Sequence, residues 1–233
     1  MVIGIIAAEE TEMLAIKNKM TNIEEKSIYN LFFAEGIISN KNCVLVECGI
    51  GKVNAARTAQ VLIDNFSVDY IINVGSAGSV NEDLNIEDIV IGDKLIQYDF
   101  DATTFGKYKK GEICGTGRFF EADKNLIELC KQTIEELNEE NRIIKIGSIG
   151  SADFFCADPK KAIEIRKEFD VECVEMEGAA IAQVCFLDKI PFLVIRAISD
   201  TPNGNNKVDF HEFLEIVSKR AANILEKLLL KID

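Results

Sequence analysis

Apolar and polar residues alternate along the chain in blocks whose period indicates their secondary structure. Residues 2–8 form a continuous apolar run, which predicts a central strand covered on both faces. Apolar residues at helical spacing predict amphipathic helices over residues 55–66, 126–137 and 210–228. Two further helices are predicted to begin at Asp158-Pro159, where a capping carboxylate precedes a proline, and just after Glu177.

Strands are predicted between these helices. They lie at residues 31–34, 43–48, 69–74, 89–91, 94–98, 142–149, 172–175 and 192–198. With three prolines and no Ser- or Gly-rich tract, the sequence contains no recognisable linker. The alternation of strands with helices therefore predicts one α/β domain over residues 1–233, an α/β/α sandwich.

The charge of the chain argues against two classes of partner. The sequence has 26 basic and 39 acidic residues, a net charge of −13, and its basic residues are interleaved with acids. Binding to a nucleic-acid backbone requires clustered cations, and an anionic membrane surface would repel this chain. No apolar run reaches the ~20 residues that a transmembrane helix needs. We therefore expect neither nucleic acid nor a membrane as partner.

The cysteines and the one histidine do not form a metal-binding pattern. Seven cysteines occur without CxxC spacing, whereas structural zinc sites use closely spaced pairs of ligands. These cysteines are typical of small apolar residues in a reducing compartment. The apolar start is short, lacks a basic segment and runs into Glu9, unlike a signal peptide. We predict a cytoplasmic protein that uses no metal and no other cofactor.

Polar residues directly follow several predicted strands. They are Glu9, Glu10 and Glu12; Gly49-Ile50-Gly51; Gly75-Ser76-Ala77-Gly78; Glu175-Met176-Glu177; and Ser199-Asp200. Because ligands of open α/β sheets bind beyond the carboxyl ends of strands, these residues are expected to form one acid-rich pocket. Such a pocket suits cleavage of a glycosidic bond. One carboxyl group deprotonates water, another protonates the leaving group, and the negative charge stabilises an oxocarbenium-like transition state.

The same residues also have structural interpretations. The segment 75–78 alone is typical of a strand-to-helix turn and is too short for a dinucleotide-binding motif. Glu12 would complement the dipole of a helix N-terminus, and Asp200 would be an ordinary turn residue. Glu175 and Glu177 are two positions apart, so within a strand they would share one face and repel each other. Ribose hydroxyls or a cationic transition state would justify that repulsion.

Five segments, taken in order, carry a resemblance to a known family: GIIAAEETE, GIGKVNAA, NVGSAG, VEMEG and RAISD. Together they closely resemble 5′-methylthioadenosine/S-adenosylhomocysteine nucleosidases, from the first residue to the final helix. The resemblance implies a nucleoside phosphorylase-like fold, a three-layer α/β/α sandwich with a mixed central sheet, usually in a homodimer. It also implies hydrolysis of these adenine thionucleosides, and of 5′-deoxyadenosine, to adenine and the free sugar.

The resemblance assigns the proton transfers to two acids. Glu12 matches the acid that activates the attacking water, and Ser76 matches a small polar residue near the water and the sugar, with Gly78 nearby. Asp200 matches the acid that serves protonation of adenine at N7. Ser199 matches the hydrogen-bonding residue that orients this acid.

The resemblance also assigns residues that bind the sugar and the base. Glu177 matches the carboxylate that binds the ribose hydroxyls, with Glu175 and Met176 beside it. Phe154 is implied to stack on the base, while the backbone of Phe155 would contact its polar edge, although such a pair is as often part of a core.

A third group of residues is implied to bind the 5′-alkylthio tail. Ile50 and Phe210 would line an apolar slot, which Phe105 of the partner subunit would complete. The family commonly has a methionine in place of Glu9, and an aromatic residue in place of Lys107. These departures concern the preference for the tail more than the glycosidic chemistry.

Three other functions fit parts of the pattern. A purine nucleoside phosphorylase of the same fold would need arginines around its phosphate. Here the first strand ends in acids, Arg57 lies on the polar side of its helix, and Arg196 is predicted to be a structural ion-pair donor. A nucleoside-binding protein without catalysis would not need the three acids Glu12, Glu177 and Asp200. An aminodeoxyfutalosine nucleosidase would differ in the 5′ group, and this alternative stays open.

Overall fold

The computed structural model describes residues 1–137, 142–202 and 210–232, and in the last of these ranges it describes side chains from residue 213 onward. Strands and helices alternate along this part of the chain. In chain order they are β1 Val2–Ala7, α1 Glu10–Lys17, β2 Thr21–Ile28, β3 Leu31–Ile38, β4 Lys41–Glu47, α2 Lys52–Phe66, β5 Tyr70–Ser79, β6 Ile89–Gln97, β7 Phe120–Glu121, α3 Lys124–Leu137, β8 Ile144–Ser151, α4 Pro159–Phe169, β9 Cys173–Glu175, α5 Gly178–Asp188, β10 Phe192–Asp200 and α6 Phe210–Leu229.

The strands form one mixed sheet. β1 is parallel to β4 on one side and to β5 on the other, and β3 and β2 continue the sheet in antiparallel pairs beyond β4. On the far side β5 pairs with both β10 and β9, while β10, β6, β8 and β9 pair in that order. These five strands therefore close into a ring at one end of the sheet, which the sequence did not predict.

Two helical layers cover the sheet. Helices α1, α3 and α6 pack over one face, where Ile5, Leu126 and Leu225 share a core cluster. Helices α2 and α5 pack together over the other face, where Leu62 and Ile181 lie in a second cluster. The predicted three-layer α/β/α sandwich with a mixed sheet is thus confirmed. None of the helices in the described ranges is both long and apolar enough to cross a membrane.

The prediction of a strand-to-helix turn at residues 75–78 is wrong. Strand β5 continues through this segment to Ser79, because β10 pairs with it as far as Gly78. Gly75 and Gly78 do not form a turn; their lack of a side chain lets two carboxyl groups approach the strand closely. A Cβ atom at Gly75 would lie 2.9 Å from Glu12 Oε1, and one at Gly78 would lie 2.8 Å from Asp200 Oδ2.

Candidate active site

A cavity of about 290 Å³ opens at the carboxyl ends of β1, β5, β9 and β10. Of the site residues predicted from the sequence, all line it except Glu10, Gly49, Gly51, Phe105 and Phe210. The lining residues are Ala8, Glu9, Glu12, Ile50, Gly75, Ser76, Ala77, Gly78, Tyr98, Phe154, Phe155, Cys156, Val174, Glu175, Met176, Glu177, Arg196, Ser199 and Asp200. The structure therefore brings together the polar strand ends that the sequence pointed to.

Glu12 lies in the first turn of α1, and only 4% of its surface is exposed. Its Oε2 accepts hydrogen bonds from the backbone N–H groups of Ala8, at 3.0 Å, and Glu9, at 3.3 Å. Its Oε1 accepts the N–H of Ser76 at 2.9 Å and the hydroxyl of the same residue at 3.3 Å. Both oxygens are thus held by donors, which fixes the carboxylate at the end of β1 and against β5.

Burial raises the pKa of Glu12 above its usual value, because the charged form loses its contact with water. The positive charge of Arg196 and the backbone N–H donors act in the opposite direction. A carboxyl group with a raised pKa accepts a proton more readily than an exposed glutamate does, as a general base must.

Arg196 lies beneath the cavity and is 1% exposed. Its Nη2 donates to Glu175 Oε2 and to Asn73 Oδ1, both at 2.5 Å. Glu175 also accepts hydrogen bonds from the Ser151 hydroxyl and from the backbone N–H of Gly178, the latter at 2.6 Å. The predicted structural ion pair of Arg196 is present, and it holds Glu175 in place under the site.

Glu177 has a different environment from Glu175. Strand β9 ends at Glu175, in agreement with the predicted bounds 172–175, and Glu177 is the N-cap residue of α5, so the two glutamates do not share a strand face. Glu177 Oε1 accepts the N–H of Gly51 at 2.8 Å. Burial and the nearby charge of Glu175 raise the pKa of Glu177 to about 7, although the Gly51 hydrogen bond and Arg196 oppose this shift.

Asp200 is the last residue of β10 and faces the cavity against Gly78. Its Oδ1 accepts a hydrogen bond from the Ser199 hydroxyl at 2.6 Å, as the predicted orienting role requires. Burial raises the pKa of Asp200, and the Ser199 hydrogen bond only partly offsets this. The protonated form is therefore favoured more than in an exposed aspartate.

An aromatic wall lies between β8 and α4. Phe154 packs edge-on against Tyr98, with ring centroids 5.6 Å apart, and Lys161 Nζ lies 3.7 Å from the centre of the Phe154 ring. Phe155 also lines the cavity but is 65% exposed, and Ile50 on the opposite strand end is 54% exposed. The cavity is therefore closed around its acids and open at its apolar rim.

Two predicted tail residues are not placed in this cavity. Phe105 ends a 3₁₀ turn, Thr103–Phe105, is 75% exposed and does not line the cavity of its own chain. Its predicted role belongs to a partner subunit and stays a prediction. Phe210 begins α6, but its side chain lies outside the part of the chain whose side chains are described, so its role also stays a prediction.

The structure adds lining residues that the sequence interpretation missed. They are Ala8, Tyr98, Cys156 and Val174, together with Arg196 in the floor. The strand-end rule could have found Tyr98, since it directly follows β6. Among the residues that the structure describes, no group of three or more His, Cys, Asp or Glu side chains is placed to hold a metal ion.

Comparison with known proteins places this cavity in context. A family model described as the phosphorylase superfamily matches residues 2–230. A 5′-methylthioadenosine/S-adenosylhomocysteine nucleosidase of Staphylococcus aureus is 40% identical over 228 residues, which cover 97% of this chain and 98% of the relative.

Solved structures give the same picture. The nucleosidase of the same name from Neisseria meningitidis, in complex with methylthio-immucillin-A, has a TM-score of 0.92 and 35% identity, with 99% of each chain covered. The futalosine hydrolase of Helicobacter pylori has a TM-score of 0.92 and 30% identity, covering 99% of this chain and 98% of that one. The fold is thus common to enzymes named for different nucleosides.

Proposed function

Since the chain belongs to the 5′-methylthioadenosine/S-adenosylhomocysteine nucleosidases of the phosphorylase superfamily, we propose that its acid-lined cavity is the site where it hydrolyses the N-glycosidic bonds of these nucleosides. The protein is an N-glycosyl hydrolase that releases adenine and the 5-thioribose sugar. What remains to be tested is the role of each cavity residue.

One observation supports water rather than phosphate as the nucleophile. The cavity is lined by the carboxyl groups of Glu9, Glu12, Glu175, Glu177 and Asp200. Among the lining residues that the structure describes, only Arg196 is cationic, and it is held by Glu175 from beneath. A phosphate dianion requires cations arranged around it, so this cavity favours a neutral water molecule and a cationic sugar.

In the proposed reaction, the bond between C1′ of the ribose and N9 of adenine breaks, and its electron pair moves into the purine. Asp200, whose pKa is raised by burial, gives its proton to N7, so adenine leaves as a neutral molecule. Glu12 takes a proton from water, whose oxygen forms the new bond to C1′. The hydrogen bonds that Glu12 accepts from β1 and β5 backbone support this role, because they hold its oxygens in a fixed orientation.

The separation of the two acids supports the same assignment. Glu12 packs on Gly75 and Asp200 packs on Gly78, three residues further along β5. The Cα atoms of residues three apart on a strand are separated by about 10 Å, so the two acids act at different points along the cavity. Glu177 would bind the ribose hydroxyls and Phe154 would stack on the base.

The tail slot is proposed to lie at the open rim and to be completed by a second copy of the chain. Ile50, Val53 and Phe155 expose 54%, 78% and 65% of their surfaces on this side. Apolar side chains so exposed are typical of an interface. We therefore propose a homodimer in the cytoplasm in which Phe105 of the partner subunit covers the tail. Turnover of 5′-deoxyadenosine, whose tail is smaller, is part of this proposal.

The decisive experiment measures adenine release from 5′-methylthioadenosine, S-adenosylhomocysteine and 5′-deoxyadenosine, with and without phosphate. We expect phosphate-independent release with the free sugar as product. Formation of a sugar 1-phosphate, only when phosphate is present, would contradict the assignment of Glu12 as the base for water. Including aminodeoxyfutalosine as a substrate tests the remaining alternative for the 5′ group.

A further inference from the structure

Three charged residues outside the cavity wall form a closed network, which we call the Lys52 cluster: Lys52, Asp99 and Asp153. Lys52 Nζ lies 2.5 Å from Asp99 Oδ1 and 3.8 Å from Asp153 Oδ2. The backbone N–H of Lys52 donates to Asp153 Oδ1 at 2.8 Å, and the backbone N–H of Asp153 donates to Asp99 Oδ2 at 2.9 Å. Each member thus contacts the other two, although they are far apart in sequence.

The Lys52 cluster contacts the sugar side of the cavity through Gly51. The N–H of Gly51 donates to Glu177 Oε1, and Gly51 has a φ of 99°, which a residue with a side chain rarely adopts. A Cβ atom at Gly51 would lie 3.3 Å from Asp153 Oδ1. The backbone at Gly51, which donates to Glu177, therefore lies close to Asp153 of the Lys52 cluster.

The Lys52 cluster also contacts the base side of the cavity. Asp153 immediately precedes Phe154, the proposed platform for the base, and Asp99 immediately follows Tyr98. Tyr98 packs edge-on against Phe154, and each of these two residues is joined by one peptide bond to a member of the Lys52 cluster. One lysine thus links the segments that form the two halves of the cavity.

We propose that the Lys52 cluster is a positioning device that fixes the base platform relative to Glu177, so that base and ribose are aligned for cleavage. This inference rests on the proposed function. The side chains of Lys52 and Asp99 are only 15% and 20% exposed, so their ion pair is less screened by water than a surface pair. A displacement of about 1 Å in a catalytic site is enough to lower the rate about 100-fold.

The test compares ligands that use one half of the cavity or both. In Lys52→Met we expect kcat for 5′-methylthioadenosine to fall at least about 10-fold, and KM to change less than about three-fold. The Kd of adenine, which uses the base half only, should change less than about three-fold. The Kd of methylthio-immucillin-A, a transition-state inhibitor that uses both halves, should rise at least about 10-fold, because misalignment weakens binding of the transition state more than binding of the substrate. Lys52→Arg should restore most of the activity because it keeps the charge.

Two controls separate positioning from folding. Lys231→Met removes another ion pair of a partly buried lysine, between Lys231 Nζ and Glu136 Oε1 at 2.6 Å, and should leave kcat and both Kd values unchanged. Should Lys52→Met fail to fold, Asp99→Asn weakens the ion pair while retaining an acceptor for Asp153, and we expect the same divergence of the two Kd values. Thermal unfolding is measured for every variant.

Two results would overturn the inference: unchanged kcat in folded Lys52→Met, or equal loss of affinity for adenine and for the analogue. Equal loss would mean that the base platform itself collapses. The proposed function fails separately, if the unmodified protein releases no adenine without phosphate.

Discussion

At the scale of single residues, burial raises the pKa of both Glu12 and Asp200, but the two carboxyl groups accept different numbers of hydrogen bonds. Glu12 accepts four hydrogen bonds, whereas the hydrogen bond from the Ser199 hydroxyl is the one described for Asp200. Donors stabilise a carboxylate, which supports the proposal that Glu12 is the base and Asp200 the acid. The division of roles thus follows from the local hydrogen bonds, which only the folded chain reveals.

Asp200→Asn should lower kcat by about 10²–10⁴-fold, because the amide cannot donate an acidic proton to N7. The amide oxygen can still accept the hydrogen bond of Ser199, so folding and binding of methylthio-immucillin-A should persist. Steady-state adenine release and calorimetric binding measure the two effects. Asp64→Asn, an exposed change on α2, is the control. Near-normal turnover of Asp200→Asn would contradict the role assigned to Asp200.

Glu177→Gln should make the protein more stable above pH 7. The pKa of Glu177 is raised from 4.5 to about 7 in the folded state, so between these values the unfolded chain ionises while the folded chain keeps its proton. The free energy of unfolding therefore falls as pH rises from about 4.5 to 7, by on the order of 3 kcal/mol from this group.

The measurement is urea unfolding at pH 4.5 and pH 8. Glu177→Gln should match the unmodified protein at pH 4.5 and exceed its free energy of unfolding at pH 8, while losing activity. The exposed Glu164→Gln on α4 should change neither. A stability gain that is the same at both pH values would mean that relief of the raised pKa is not its cause.

At the scale of elements, strand β5 leaves space for Glu12 and Asp200, because Gly75 and Gly78 have no side chains. Gly78→Ala would place a methyl group 2.8 Å from Asp200 Oδ2, so the carboxyl group must move. We expect kcat to fall about 10- to 100-fold, with a smaller effect on thermal unfolding. Gly92→Ala on β6 is the matched control, because its Cβ would lie 2.9 Å from the flexible tip of Ile149, which does not line the cavity. Equal loss of activity in both variants would refute this account.

The elements also show what the sequence could and could not predict. Strands such as β1 and β10 are buried on both faces, so their continuous apolar runs were sufficient. Strand β2 was missed because all its residues but the last are exposed, which leaves no apolar pattern. The extension of β5 through Gly78 was missed because the glycine is there to leave space for the Asp200 carboxyl group. This contact forms only when two segments far apart in sequence come together.

The site shows the same limit. Motifs identified the cavity acids and the predicted bounds left Glu177 outside the strand, whereas its hydrogen bond from the N–H of Gly51 required the structure, since the two residues are 126 positions apart in sequence. The contact of Tyr98 with Phe154 was also beyond the sequence, because it joins two strand ends that are adjacent only in the folded sheet.

At the scale of the whole molecule, a proposed second copy completes the tail slot. We expect Phe105→Ala to raise KM for 5′-methylthioadenosine and to affect 5′-deoxyadenosine less, because about 0.8 kcal/mol is lost per buried CH₂ group. Phe32→Ala on β3 is the control, as Phe32 is similarly exposed, at 76%. Sedimentation should give a dimer for the unmodified protein.

Complementation tests the origin of Phe105. When Phe105→Ala chains are re-equilibrated with an excess of Asp200→Asn chains, most of them enter mixed dimers, each of which contains one site with an intact Asp200 and an intact Phe105 from its neighbour. We expect this mixture to recover a normal KM. A KM that stays raised would place Phe105 in the wall of its own chain instead.

The closed ring of strands has an evolutionary consequence. The acids proposed to act on the bond, Glu12 and Asp200, lie against β5 and at the end of β10, two strands of this ring, whereas Ile50 and Phe155 lie at an exposed rim. Substitutions at the rim can therefore accumulate without disturbing the reaction centre. Nucleosides with different 5′ groups become accessible to one ancestral scaffold, in keeping with the likeness of a futalosine hydrolase to this chain. In such a fold the reaction centre can be retained in evolution while the accepted 5′ group changes.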